Sequence, residues 1–353
     1  VSLGRQLKFW GLALLGVLIF LYVFAGILLP FVVGMALAYL LDPVADRLQA
    51  LGLSRSIATF MIVLSLILIF VLVGVVLIPV IANQVSGFVE NIPRYVERLR
   101  ALVTSVADGR FDAQYKMIEA QLGSIVSQGA GWATGLLGSL WNGGQAVVSI
   151  ISLMIIAPVV AFYLLFDWDR MVEEIDSWLP LRHRDTVRRL ASEMDGVVAG
   201  FVRGQTSVCL AMAVFYAIGL TAVGLNFGLV IGLVAGILGF IPFVGVIVGL
   251  ISSVGVAFIQ FWPEWQWVLV VLGIFVAGQM IEGYILQPAW VGRSVGLHPV
   301  WLMFSLLAFG SLFGFVGALI AVPAAASIGV LARFALHRYL ESPFYTAPSD
   351  TPQ

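Results

Sequence analysis

Charge is what this sequence has least of. Only 10% of its 353 residues are charged, 61% are hydrophobic, and the mean hydropathy is +1.05. An ordinary soluble domain is about 25% charged and about 45–50% apolar. A water-soluble fold of this length has no interior large enough for that apolar mass. Lysine is nearly missing: Lys8 and Lys116 are the only two, and no G-x-x-x-x-G-K-[ST] loop exists, which excludes a P-loop ATPase. The three histidines, His183, His298 and His337, fall in no metal-binding spacing, and H-E-x-x-H is absent. The single cysteine, Cys209, has no partner for an intrachain disulfide and reads as a small hydrophobe in an apolar run. A net charge of −1 leaves no footprint for nucleic acid. No aspartate lies in an apolar span, and no nucleophile elbow is present, so the usual enzyme chemistry is not visible. Transport, channel activity or a membrane scaffold role remain. No cofactor is expected beyond a coupling ion, H+ or Na+. The expected partners are the lipid bilayer, a small-molecule or ion substrate, and further copies of the chain.

What is present is long hydrophobic runs. A span needs about 20 apolar residues. Between Gly204 and Ala332 only Glu264, Glu282 and Arg293 carry formal charge, so this stretch holds several spans. The expected fold is all-α: a polytopic membrane protein of about eight helices, with a broken helix near Pro242 and an extramembrane helical hairpin. Residues 1–82 read as N-terminal spans. Arg5 and Lys8 ahead of Phe9–Leu41 imitate a signal peptide, but that run exceeds an h-region of about 7–15 residues and reads as an anchor. Pro30 divides it into two short spans or kinks one long one. Ile57–Ile81 is a clean span.

Residues 83–145 read as an extramembrane amphipathic hairpin. Val85, Phe88, Val89, Ile92, Val96, Leu99 and Val103 recur at helical spacing, and Asp108–Gly109 marks a turn. Residues 146–166 form a span containing Pro158. Residues 167–206 form the most charged region, read as a cytoplasmic loop because arginines concentrate there. Residues 207–338 form a C-terminal bundle, the expected transport core. Residues 339–353 read as a disordered, Pro-containing tail.

Three features of the bundle could carry function. Gly224, Gly228, Gly232 and Gly236 recur every fourth residue, and Gly310 and Gly314 repeat the theme. Such a face lets a second backbone approach closely, either as static packing or as the sliding surface of a carrier. Around Pro242, the run Gly239–Gly245 interrupts a span. Backbone freed there must be satisfied by protein or water, and carriers aim such half-helix ends at substrates. Glu282 is the one deep carboxylate, with Gln279 a turn before it and Gln287 beyond. A charge at membrane depth costs about 2.5–3.5 kcal/mol on insertion scales, so it needs a partner or a role. It could bind a proton or a cation, or pair with Arg293 if the chain reverses at Pro288.

These motifs resemble the AI-2E family of bacterial transporters, the PerM-like permeases. The matching stretches are Ala38–Tyr39–Leu40–Leu41–Asp42–Pro43, Leu53–Ser54–Arg55, Arg203–Gly204–Gln205 and Phe240–Ile241–Pro242–Phe243–Val244–Gly245. The longest runs from Gln279 through Glu282 to Pro288, and on through Arg293 to His298–Pro299. The resemblance implies about eight spans and an extramembrane segment after the third. It implies multi-pass residence in the bacterial inner membrane. It associates the chain with export of autoinducer-2, a small polar signal, while some members look like Na+(Li+)/H+ antiporters. Where many relatives have a second proline after Pro-x-x-Gly, Val246 follows Gly245 here, which implies a softer second break.

Overall fold

A computed structural model describes residues 11–12, 15–17, 19–107, 144–292, 296–342 and 345. Among these there is no strand. Helices are α1 (Leu29–Ala50), α2 (Arg55–Ala107), α3 (Gly144–Ser177), α4 (Arg184–Ala222), α5 (Gly228–Leu238), α6 (Val244–Phe261), α7 (Trp265–Ile281) and α8 (Pro299–Leu340). A π-helical stretch, Glu282–Val291, continues α7. Among the described residues seven helices are long and apolar enough to cross a membrane. With α5 counted as half of a broken span, this is the all-helical polytopic fold that the hydropathy predicts.

The breaks follow local chemistry. Before α1 the chain makes a 3-10 turn over Ala25–Ile27, and Pro30 then sits in the first turn of α1. A proline costs nothing there, because its missing N–H would have no helical partner. So Pro30 opens a helix rather than kinking one. α2 runs unbroken for 53 residues, roughly 80 Å at 1.5 Å per residue, well beyond a bilayer's hydrocarbon. The first amphipathic arm, to Ala107, is thus the continuation of a span. The second arm expected in 83–145 lies outside the described residues, as does nearly all of the tail 339–353 after Glu341–Ser342. The charged segment 167–206 is not an open loop. It is the end of α3 and the start of α4 around a turn at 178–183, where Asp176 binds both Arg184 and Arg188.

The chain divides into two compact units, 1–64 with 153–205 and 288–353, and 65–152 with 206–287. In the first, Ala38, Ala45, Ile62 and Leu165 form a small core joining α1, α2 and α3. Gly34 lets α1 meet α3: a Cβ there would lie 2.7 Å from the Ala157 carbonyl. α8 folds sharply at Gly314, whose φ of 60° and ψ of −138° are not helical. Gly317 consequently lies against the carbonyl of Phe309, eight residues earlier.

In the second unit α5 packs antiparallel on α4. Gly228, Gly232 and Gly236 lie in turn against Leu220, Ala217 and Ala213, so the sequence rises on one helix as it falls on the other. Any side chain at Gly232 or Gly236 would strike the α4 backbone. Three of the expected glycines therefore do form a close-packed face. Gly224 does not belong to it. It ends α4 with φ of +74°, in a turn that Gln260 clamps by accepting from the Asn226 N–H and donating to the Gly224 carbonyl, each at 2.8 Å. Gly310 and Gly314 also depart from the packing expected of them. Neither has a described neighbour within 4 Å of a Cβ, and Gly314 is a hinge rather than a packing surface.

Candidate functional site

The break between α5 and α6 is built from short turns. After Leu238 the N–H groups of Phe240, Ile241 and Val244 donate to carbonyls three residues back, at 3.0–3.2 Å. These bonds satisfy backbone that helix geometry no longer serves, which is the condition for a broken helix in an apolar medium. Phe243, at φ of 69°, turns the chain into α6. α6 then folds back on α5, with Gly245 against Ala235 and Gly239, and Gly249 against Ala235 and Phe275. Proline at 242 and glycine at 245 thus have separate tasks: one stops the helix, the other admits the return.

The other side of the site comes from α7. Gln279 and Glu282 are three residues apart and share a helix face. The Gln279 amide donates to Glu282 Oε2 at 3.0 Å and to the hydroxyl of Tyr216, on α4, at 3.4 Å. Tyr216 is 2% exposed and stacks on Phe275 with ring centroids 4.5 Å apart. Glu282, Tyr216, Cys209, Val246 and Gly239 line one cavity of about 10 Å³. That is close to the space one water needs. Glu282 and Gly239, at the end of the first half of the broken helix, thus line the same space. Pro242 is half-buried in the break but does not line the cavity. Gln287 lies further along the π-helical stretch and does not line it either. Arg293 lies outside the described residues, and so does its pairing with Glu282. Among the described residues no group of three or more His, Cys, Asp or Glu could hold a metal.

A second polar cluster belongs to the other unit. Arg55 donates to Asp42 at 3.0 Å, Asp46 at 2.9 Å, Gln49 at 3.0 Å and the Leu165 carbonyl at 2.7 Å. Arg203 donates to the Tyr39 carbonyl at 2.7 Å and faces Asp42 at 3.5 Å. The Tyr39 hydroxyl donates to Asp195 at 2.9 Å. A cavity of about 60 Å³ opens beside Tyr39, Asp42, Trp168, Asp195 and Arg203. The sequence alone did not assemble this cluster, although Tyr39, Asp42, Arg55 and Arg203 all sit in its motif stretches. Tyr216 was missed as well. Its only signal is that a tyrosine deep in an apolar helix needs a partner for its hydroxyl.

The comparisons agree with this architecture. A family model described as AI-2E family transporter matches residues 12–336. The chain is 29% identical over 346 residues to "Putative transport protein YrrI" of Bacillus subtilis (strain 168), covering 92% of this chain and 95% of that one. It is 25% identical over 340 residues to "Putative transport protein YueF" of the same organism, covering 91% of each. It is 28% identical over 323 residues to "Putative permease PerM" of Escherichia coli (strain K12), covering 87% of each. With its apolar helices and a match that runs nearly end to end, the chain is a multi-pass membrane protein and belongs to the AI-2E family of transporters.

Proposed function

We propose that this protein is a secondary transporter of a bacterial inner membrane, with Glu282 as the group that couples transport to an ion. The observation that carries the reading is that Glu282 and the α5–α6 break line the same small cavity. A carboxylate deep in a block of 129 residues whose only other charges are Glu264 and Arg293 is costly to insert, and an ion cycle is the simplest reason for it to be there. The transported solute is a small polar molecule of the autoinducer-2 type, moved outward. That part rests on the family and on the exporter reading of the sequence.

A second reading, Na+(Li+)/H+ antiport at Glu282, is favoured by one specific observation. The cavity that Glu282 lines, about 10 Å³, has room for one water or an ion of similar size. A flux screen in proteoliposomes with imposed Na+ and proton gradients, wild type against Glu282→Gln, tests both. Gradient-driven movement of a polar solute supports the exporter; exchange of cation for proton without solute supports the antiporter. In either case Glu282→Gln loses the driven flux. A variant as active as wild type overturns Glu282 as the coupling group.

A further inference from the structure

We propose that Tyr216 is a positioning residue for Glu282, acting through the side chain of Gln279. This rests on the reading of Glu282 as the coupling group and goes beyond it by naming what holds the carboxylate in place.

Gln279 is exposed, and alone its amide would swing between rotamers. Tyr216 cannot swing. Its ring is trapped between Phe275, stacked at 4.5 Å, and Gly278, where a Cβ would come within 2.6 Å of the hydroxyl oxygen. The missing side chain at position 278 is what admits the hydroxyl to the α7 surface. From the next residue, the Gln279 amide nitrogen reaches that hydroxyl at 3.4 Å and Glu282 Oε2 at 3.0 Å. An amide NH2 carries two protons, so each acceptor takes one. The carboxylate can only accept, which fixes the nitrogen rather than the oxygen toward Glu282. The hydroxyl arm is the longer of the two, so its effect is orientation more than energy. Tyr216 and Glu282 also share the lining of the small cavity.

The test uses full-length protein in proteoliposomes, driven by whichever of the sodium or proton gradients drives the wild type, with that ion titrated. Tyr216→Phe keeps the ring and removes the hydroxyl. The ion concentration for half-maximal flux should shift roughly three- to tenfold, as loss of one hydrogen bond implies: upward where sodium drives, and downward where protons drive, because a carboxylate that loses its amide donor binds a proton more readily. Maximal flux and the thermal midpoint in detergent should stay near wild type. Gln279→Leu, an exposed change that removes the donor itself, should shift it in the same direction by at least as much, and the double variant should be no worse than Gln279→Leu alone. Half-saturation unchanged in Tyr216→Phe, or additive effects in the double variant, overturn the proposal. If Glu282→Gln is inactive while Tyr216→Phe matches wild type, only the positioning role fails. If Glu282→Gln is fully active, the coupling role fails first.

Discussion

Arg55 shows how one residue can fix several segments at once. Its guanidinium reaches two aspartates, an amide and a backbone carbonyl, with the side chain 18% exposed. Four donors in a planar fork hold α1 and α3 to the start of α2. Lysine cannot reproduce that geometry, since its donors radiate from one point. Arg55→Lys should therefore destabilise the protein by about 1–3 kcal/mol, the scale of lost hydrogen bonds to charged groups. A fall in the detergent unfolding midpoint would register it. An unchanged midpoint would mean that water replaces the fork without cost. The glutamate at 282 is the opposite case. Gln279 supplies its hydrogen bond among the described residues, and no cation neutralises it there. A structural charge is expected to be surrounded as Arg55 is; among the described residues this one is not.

At the scale of elements, glycines separate into packers and hinges, and sequence spacing alone does not distinguish them. The period of four at 224–236 suggests one face, but Gly224 already belongs to the turn, where only its positive φ matters. Spacing reports register, not where a helix begins. Gly232→Ala should be severe, because the added carbon would overlap the backbone at Ala217 and nothing flexible can yield. Gly310→Ala should be neutral or stabilising by roughly 0.5–1 kcal/mol, since it adds helix propensity in open space. Thermal unfolding of both variants checks this, and equal destabilisation would contradict it. Gly314→Ala should cost about 1–3 kcal/mol through backbone strain alone.

The broken helix near Pro242 was legible because proline and glycine punctuate a run otherwise long enough to span. The fold at Gly314 was not, because the apolar pattern runs through it uninterrupted and only the backbone angle reveals it. The turn at 178–183 was hidden for a related reason. Charge marked 167–206 as outside the apolar spans, and charge says nothing about helicity. Tyr216 was hidden because a lone hydroxyl in an apolar helix shows no periodicity.

For the whole molecule, the distribution of charge divides the chain into two kinds of polar site. Where arginines are plentiful, aspartates are paired and helices are held together, as around Arg55 and at Asp176. Where charge is almost absent, a single glutamate stands beside a broken helix. The large exposed apolar side chains on α2, α6 and α7 fit a lipid environment, so the cost of placing Glu282 among them is real. The most direct test compares two fluxes in proteoliposomes bearing Glu282→Gln: accumulation driven by an ion gradient, and passive exchange with no gradient. Loss of the driven flux with a folded protein is the predicted result, whether or not passive exchange survives. Driven accumulation equal to wild type would contradict it.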